Sequence, residues 1–235
     1  MKFRGLLKGL FFFLRLHIIF EPLAKVMRFA SGLSAVSKWI SQHSPNVKFN
    51  DFYTFKRDYD KRYSLYEHVC TSENLQEFDY LEFGVASGLS LKWWTANNKN
   101  PNARFYGFDT FTGLPEDWGP YKAGDMNFGP PPQIADDRIS YQTGLFQQTL
   151  PVFIKEHRLD RRLVLMMDAD LYSSTLYVLT SLAPYLKKGD IIFFDEFNVP
   201  AHEYLAFTDF VRSYYLKYEV IGAVSNFYQV AIKVL

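Results

Sequence analysis

The chain is short of cysteine, of net charge and of uninterrupted hydrophobic runs. One cysteine, Cys70, stands among 235 residues. No disulfide can form within the chain, and a reducing, cytoplasmic setting is the expectation. Cys70 ends a helix-like stretch, LYEHVCTSEN, where a structural thiol is expected rather than a nucleophile. The formal net charge is only +1, which singles out no partner. The hydrophobic start, MKFRGLLKGLFFFLRLHIIFEP, is cut by Lys8, Arg15 and Glu21 and closed by Pro22. A spanning helix needs roughly 20 apolar residues, and no small-residue cleavage site follows, so neither an anchor nor a signal segment is expected. The dinucleotide fingerprint G-x-G-x-x-G is also missing.

What is present is unevenly distributed. Residues 1–40 hold seven Lys or Arg and one acid, Glu21, leaving about −5 for the rest of the chain. A basic arm therefore precedes a mildly acidic body, and an acidic body argues against nucleic acid as a partner. Arg4, Lys8 and Arg15 share one helical face, with Leu and Phe around the remainder. Three settings suit such a helix: an anionic membrane surface met through residues 1–20, at the inner face of a membrane; the chain's own domain; or a second copy in a homodimer. The breadth of the apolar arc favours packing. Residues 1–75 read as a helical region, with Pro22 suited to a first helical turn and a break at Ser44-Pro45-Asn46. Tyr59, Tyr63 and Tyr66 share a helical face.

From residue 76 short apolar runs alternate with helix-length segments. Strands are expected at 79–85, 103–109, ISYQT, 162–168 and DIIFFDE, with helices between them. YEVIGAV and FYQVAIKVL close the chain as two strands joined by Ser-Asn. Alternation means a parallel sheet covered on both faces, and the near-continuous apolar strands agree. The terminal pair must form an antiparallel hairpin. The expectation is an α/β fold: a Rossmann-like, doubly wound, seven-stranded, mostly parallel sheet over residues 76–235, preceded by N-terminal helices.

Ligands of such sheets sit beyond the carboxyl ends of the strands, and the chemistry-bearing residues lie there. The first strand ends in EFGVASG, with Glu82, Gly84 and Gly88 before a helix whose N-terminus offers free N–H groups. The second ends at Asp109, 27 residues after Glu82, near where an acid that holds ribose hydroxyls is expected; a turn or cap aspartate is the plain alternative. MMDADLYSST and FFDEF then place Asp168, Asp170, Asp195 and Glu196 at two further strand ends. If the chain stays extended, Asp168 and Asp170 point the same way. Two carboxylates about 4 Å apart repel by roughly 4 kcal/mol at an effective dielectric of about 20. Protons or a cation must offset that, and an all-oxygen set suits Mg²⁺. Capping and solvation of strand ends remain the alternative.

The runs YLEFGVASGLSLKWW, FYGFDTFTGLPEDW and MMDADLYSSTLYVLTSLAPYLKKGDIIFFDEF resemble the macrocin O-methyltransferase family, class I enzymes that use S-adenosylmethionine and methylate sugar hydroxyls. The resemblance spans residues 78 to about 215 and implies site residues at the matching positions. Glu82, Gly84, Val85, Ala86, Ser87, Gly88 and Ser90 would form the adenosylmethionine turn. Asp109 would hold the ribose, and Thr110, Gly144 and Asp168 would complete the cofactor site. Asp168, Asp195 and Glu196 would bind Mg²⁺, Glu196 standing where relatives often have Asp. Asp170 would be the general base, with His202 as its competitor. The acceptor would be a small molecule or glycan carrying a sugar hydroxyl. A nicotinamide oxidoreductase and a non-catalytic, membrane-docked ligand binder are the rival readings. The irregular section 110–137, with Trp118, Tyr121 and Phe128, suits either a lid or a packed surface loop.

Overall fold

A strand that is apolar on both sides must be covered on both sides, and that demand sets the architecture. The computed structural model describes residues 2–235. Its strands are β1 (Asp79–Phe83), β2 (Arg104–Asp109), β3 (Ile139–Thr143), β4 (Leu163–Met167), β5 (Ile191–Phe194), β6 (Tyr218–Val224) and β7 (Gln229–Val234). They form one sheet in the order β3-β2-β1-β4-β5-β7-β6. The first five run parallel, and β7 inserts antiparallel between β5 and β6. The expected Rossmann-like sheet with its C-terminal hairpin is borne out. The hairpin turns through Ser225, Asn226 and Phe227, all with left-handed backbone.

Side chains alternate across the sheet with the period of two that strands impose. Leu81, Phe83, Leu165, Met167, Ile192 and Phe194 enter one core. Tyr80, Val164, Met166, Ile191 and Phe193 enter the other. The first core is covered by α5 (Phe146–Glu156), α6 (Tyr172–Leu182) and α7 (Glu203–Tyr214). The second is covered by α3 (Lys61–Ser72) and α4 (Leu89–Asn97), through Leu65, Tyr66, Val69, Leu91 and Trp94. Helix α3 thus completes the sheet's cover over β6 and β7. Between β1 and β4 the strand order reverses direction, which opens a crevice at their carboxyl ends. Cys70, on α3, is half-buried, and burial pushes its thiol up to about 12, which leaves it protonated and structural.

The first two helices are α1 (Lys2–Phe13) and α2 (His17–His43). Pro22 lies inside α2 rather than opening a helix; the chain turns instead at Arg15, whose backbone is left-handed. The last turns of α2 dock firmly. Val36, Trp39 and Ile40 are buried, Trp39 Nε1 donates to Tyr218 Oη at 3.0 Å, and the Trp39 ring packs on Phe197 with centroids 4.7 Å apart. Upstream of Gly32 the chain's own domain, one of the two packing partners expected, does not cover the apolar arc. Phe3, Leu10, Phe13, Ile19, Met27 and Phe29 are all exposed, because the sheet face nearest α2 is already covered by α6 and α7.

Trp39→Ala should therefore cost about 3 kcal/mol or more of stability, whereas Phe29→Ser should change it by less than about 0.5 kcal/mol. Denaturant unfolding of the two variants checks this; equal effects would mean that the first half of α2 carries folding contacts.

Candidate active site

The turn after β1 is built by two glycines. Gly84 has φ +95°, and a Cβ there would lie 1.8 Å from the Asp168 carbonyl oxygen. Only glycine lets this turn rest against the end of β4. Gly88 caps α4 with φ +75°, and a Cβ would fall 2.6 Å from Pro132 Cγ. Asp109 ties the turn together. Its Oδ2 accepts from the amides of Val85 at 2.8 Å and Ala86 at 2.9 Å, and its Oδ1 accepts from Phe111 N at 2.8 Å. The side chain expected to hold a ribose thus holds the turn itself, with one lone-pair position left on Oδ1. Thr110 Oγ1 donates to the Gly113 carbonyl, and Gly144 N donates to the Asp109 carbonyl. Glu82 is buried and accepts from Tyr80 Oη at 2.7 Å; burial pushes its carboxyl up to about 8.

Neighbouring strand tips gather the other acids. Met167 pairs with Phe194, so Asp168 and Asp195 follow at adjacent positions, and Asp195 N donates to the Met167 carbonyl at 3.0 Å. The extended continuation expected from Asp168 to Asp170 does not occur. Asp170 has φ +57°, a conformation a non-glycine residue adopts at some cost, and the turn brings its carboxylate into the same crevice. Burial, then Asp195 and Asp170, raise Asp168 well above the usual carboxylate range. Burial, then Glu196, raise Asp170 to about 7. Glu203, fully buried in the first turn of α7, is also held high by burial and accepts from Glu196 N at 2.9 Å.

Two of the four acids are already engaged. Tyr59 Oη donates to Asp195 Oδ2, and Tyr228 Oη donates to Glu196 Oε1. Arg62, itself buried, stands 4.0 Å from Asp195 Oδ1 and stacks on Tyr59. Arg57 stacks on Tyr228, 3.4 Å from the ring centroid. Among the described residues no three acidic, His or Cys side chains are grouped as metal ligands, so the set Asp168, Asp195 and Glu196 is not assembled as one. Glu196 is turned to Tyr228. Asp195 Oδ1 is buried without a hydrogen bond, and Asp168 faces the crevice beside it. That pair has the oxygen donors a hard cation takes; the trio does not fit.

A cavity of about 510 Å³ joins these parts, a size suited to a small organic ligand. Glu82, Gly84, Val85, Ala86, Ser87, Ser90, Asp109, Thr110, Asp168, Asp170, Asp195 and Glu196 all line it. Gly88 and Gly144 shape the wall from behind. His202 lies outside the lining: it precedes α7, edge-on to Trp118, with its Nδ1 buried and unpartnered, and burial lowers its pKa. Section 110–137 supplies one wall through Leu114, Glu116, Met126 and Phe128. It is pinned by Ser173 Oγ donating to Glu116 and by Tyr141 Oη donating to the Pro132 carbonyl. Sequence reasoning missed Tyr59 and Arg62, which also line the cavity. Their signal was the run of Tyr residues around an Arg in RDYDKRYSLY.

Residues 127–226 match the family model described as macrocin O-methyltransferase (TylF), which bears out the resemblance read from the sequence. The matched stretch contains Asp168, Asp170, Asp195 and Glu196 and leaves out the Gly84–Gly88 turn. Mycinamicin III 3''-O-methyltransferase of Micromonospora griseorubida is 36% identical over 76 residues, which cover 30% of this chain and 28% of that protein. The chain thus matches little more than a quarter of that relative's length. Among solved structures, the calicheamicin methyltransferase CalS11 superposes with a TM-score of 0.58 at 23% identity, over 75% of this chain and 78% of that one. The O-methyltransferase NovP gives 0.55 at 19% identity, over 74% and 78%. These two similarities establish the fold.

The buried acids make stability depend on pH in a definite sense. Below about 4.5 Glu82 is protonated folded or unfolded and has no effect. Between about 4.5 and about 8 the folded chain keeps a proton that the unfolded chain has released. Stability therefore falls as pH rises through that window, by at most about 1.4 kcal/mol per pH unit for this one group. The melting temperature should be lower at about pH 8 than at about pH 5.5, and Glu82→Gln should flatten the slope. An unchanged slope in that variant would show that Glu82 is ionised in the folded chain.

Proposed function

We propose that the protein is an S-adenosylmethionine-dependent O-methyltransferase whose acceptor is a hydroxyl of a sugar or glycoside. One observation carries the reading. Asp168 and Asp170 project into the same cavity as the glycine turn, and no group among the described residues donates a hydrogen bond to either carboxylate. Acids left free in a buried crevice are costly unless a ligand uses them. The family match supports methyl transfer. The printed functions of two similar proteins, mycinamicin III 3''-O-methylation and TDP-rhamnose 3'-O-methylation, support a sugar acceptor.

The cofactor supplies an electrophilic methyl group on a sulfonium centre. The turn Gly84–Ser90, clamped by Asp109, would hold it, since Gly84, Val85, Ala86, Ser87 and Ser90 line the cavity. A sugar hydroxyl is a weak nucleophile, so its proton must leave as its oxygen bonds to the methyl carbon. Asp170 takes that proton: it is in the cavity, unengaged, and has a carboxyl near neutrality, which suits a base. His202 is outside the cavity and is set aside as the base. The carbon–sulfur bond breaks with its electrons going to sulfur, which leaves a neutral thioether. Tyr59 and Arg62 hold Asp195 and close the far wall against water. Mg²⁺ enters this proposal in a narrower form than three carboxylates. Asp168 and the free Oδ1 of Asp195 would hold it, and it would there acidify and orient the acceptor hydroxyl.

Two measurements test the scheme. Asp170→Asn should lower turnover roughly 10²- to 10⁴-fold while leaving S-adenosylhomocysteine binding intact; near-normal turnover removes Asp170 as the base. Calorimetric titration with Mg²⁺ should show binding to the native protein and none to Asp168→Asn. Absence of heat with the native protein in the presence of S-adenosylhomocysteine would remove the ion from the scheme.

A further inference from the structure

The largest concentration of exposed apolar side chains lies far from the cavity chemistry, on α1 and the first half of α2. On α1, Phe3, Leu7 and Leu10 follow one another at helical spacing, flanked by Leu6 and Phe13. On α2, Ile19, Leu23, Val26 and Leu33 do the same, flanked by Phe20 and Met27. All are exposed. Such stripes at intervals of three and four residues form one continuous face on each helix. The chain turns between the two helices at Arg15, where Phe11 lies against Phe20 at 5.6 Å between ring centroids. Nothing else in the described residues covers the stripes.

Basic side chains share the rest of each circumference with the exposed Phe12 and Ile18. Arg4 and Lys8 on α1 and Lys25 and Arg28 on α2 repeat at the same helical spacing, Arg15 sits at the turn, and Glu21 is the single acid. We propose that this helical arm is a docking surface for an anionic phospholipid membrane, lying in the interface rather than crossing it. Among the described residues no helix is long and apolar enough to cross a membrane. The charge decides between occupants. A second copy docked arm to arm would bring two like-charged basic arms together, with only Glu21 on each to offset them. An anionic leaflet supplies the opposite charge and, just beneath it, an apolar layer for the Leu and Phe stripe. The flexible stems of Lys and Arg reach past the apolar face to the headgroups. The inference does not depend on the proposed reaction. It has a geometric consequence for it, though. Helix α2 meets the body where Gly32 touches Pro200 and where Tyr204 Oη donates to the Ala35 carbonyl, in the segment just after Asp195 and Glu196. Docking by the arm would hold the carboxyl edge of the sheet close to the lipid surface.

The test is flotation of the full-length protein with vesicles of phosphatidylcholine alone or mixed with phosphatidylglycerol. Binding to the anionic vesicles should exceed binding to the neutral ones by roughly tenfold or more and should fall as salt is raised. The variants L7E/L10E and K8E/R28E should each lose roughly tenfold or more of that binding, with unchanged thermal unfolding because the altered side chains are exposed. Equal partition into both vesicle types, or no flotation with either, overturns the proposal. So does a stable lipid-free dimer, by light scattering, that L7E/L10E converts to monomer, since that result assigns the stripe to a second copy.

Discussion

The cost of gathering carboxylates in a dry crevice governs this molecule. Glu82, Asp195 and Glu203 are buried and Asp168 is half-buried at the ends of three adjacent strands and the start of α7, with Asp170 and Glu196 beside them. Each neighbouring pair of charges repels by several kcal/mol in such surroundings. The surroundings answer in three ways. Burial pushes Glu82, Asp168 and Glu203 toward the protonated form. Two tyrosines, Tyr59 and Tyr228, cap Asp195 and Glu196 by donation. Two arginines, Arg62 and Arg57, bring positive charge against the same aromatic rings. Left without a hydrogen-bond donor are Asp168, Asp170 and one oxygen of Asp195. They share the cavity wall with the capped Glu196 and with Tyr59 and Arg62.

Much of this could be read in the sequence because the sheet is so regular. Strands such as LVLMM and IIFF are apolar at every position, which leaves only the doubly wound arrangement. Abrupt stops at MMDAD and FFDEF put the acids at strand ends, and a sheet of this kind binds ligands there. Glu82, the glycine turn and Asp109 followed from the same logic. The illegible parts are those set by long-range packing. RDYDKRY is polar and irregular, and nothing local says that Tyr59 and Arg62 bend over the tip of β5, more than a hundred residues away in sequence. Asp109 carries the signature of a ribose ligand, and nothing local says that its oxygens also clamp the turn amides. The resemblance implies Glu196 as a metal ligand, and nothing local says that Tyr228 donates to its carboxylate.

The N-terminal arm illustrates the same limit from the opposite direction. A broad apolar arc argues for burial, and for the last turns of α2 it is correct: Trp39 and Ile40 complete the core beside Phe197 and Phe207. The pattern continues unchanged upstream, but the body has no surface left to receive it. Helix α2 is thus one rod with two environments, and its sequence does not mark the boundary between them. The boundary lies near Gly32, where the backbone comes against Pro200, so the arm leaves the body at its tightest contact with the loop that follows the acidic strand ends.

The choice between Asp170 and its rivals for the proton comes down to what each side chain is doing before any ligand arrives. A base needs an unoccupied lone pair, access to the cavity and an affinity for protons near that of the medium. His202 has the free nitrogen without the access. Glu196 has the access, but one oxygen is bonded to Tyr228. Burial raises Asp195 above the usual carboxylate range, but one of its oxygens is bonded to Tyr59 and the other faces Arg62. Asp168 has access but is the most strongly crowded by other acids. Asp170 meets all three conditions, and it does so through a left-handed backbone that no neighbouring glycine supplies. An aspartate held in that conformation costs folding energy that a glycine would spare. Retaining the carboxylate at that position makes physical sense where its charge and basicity are used.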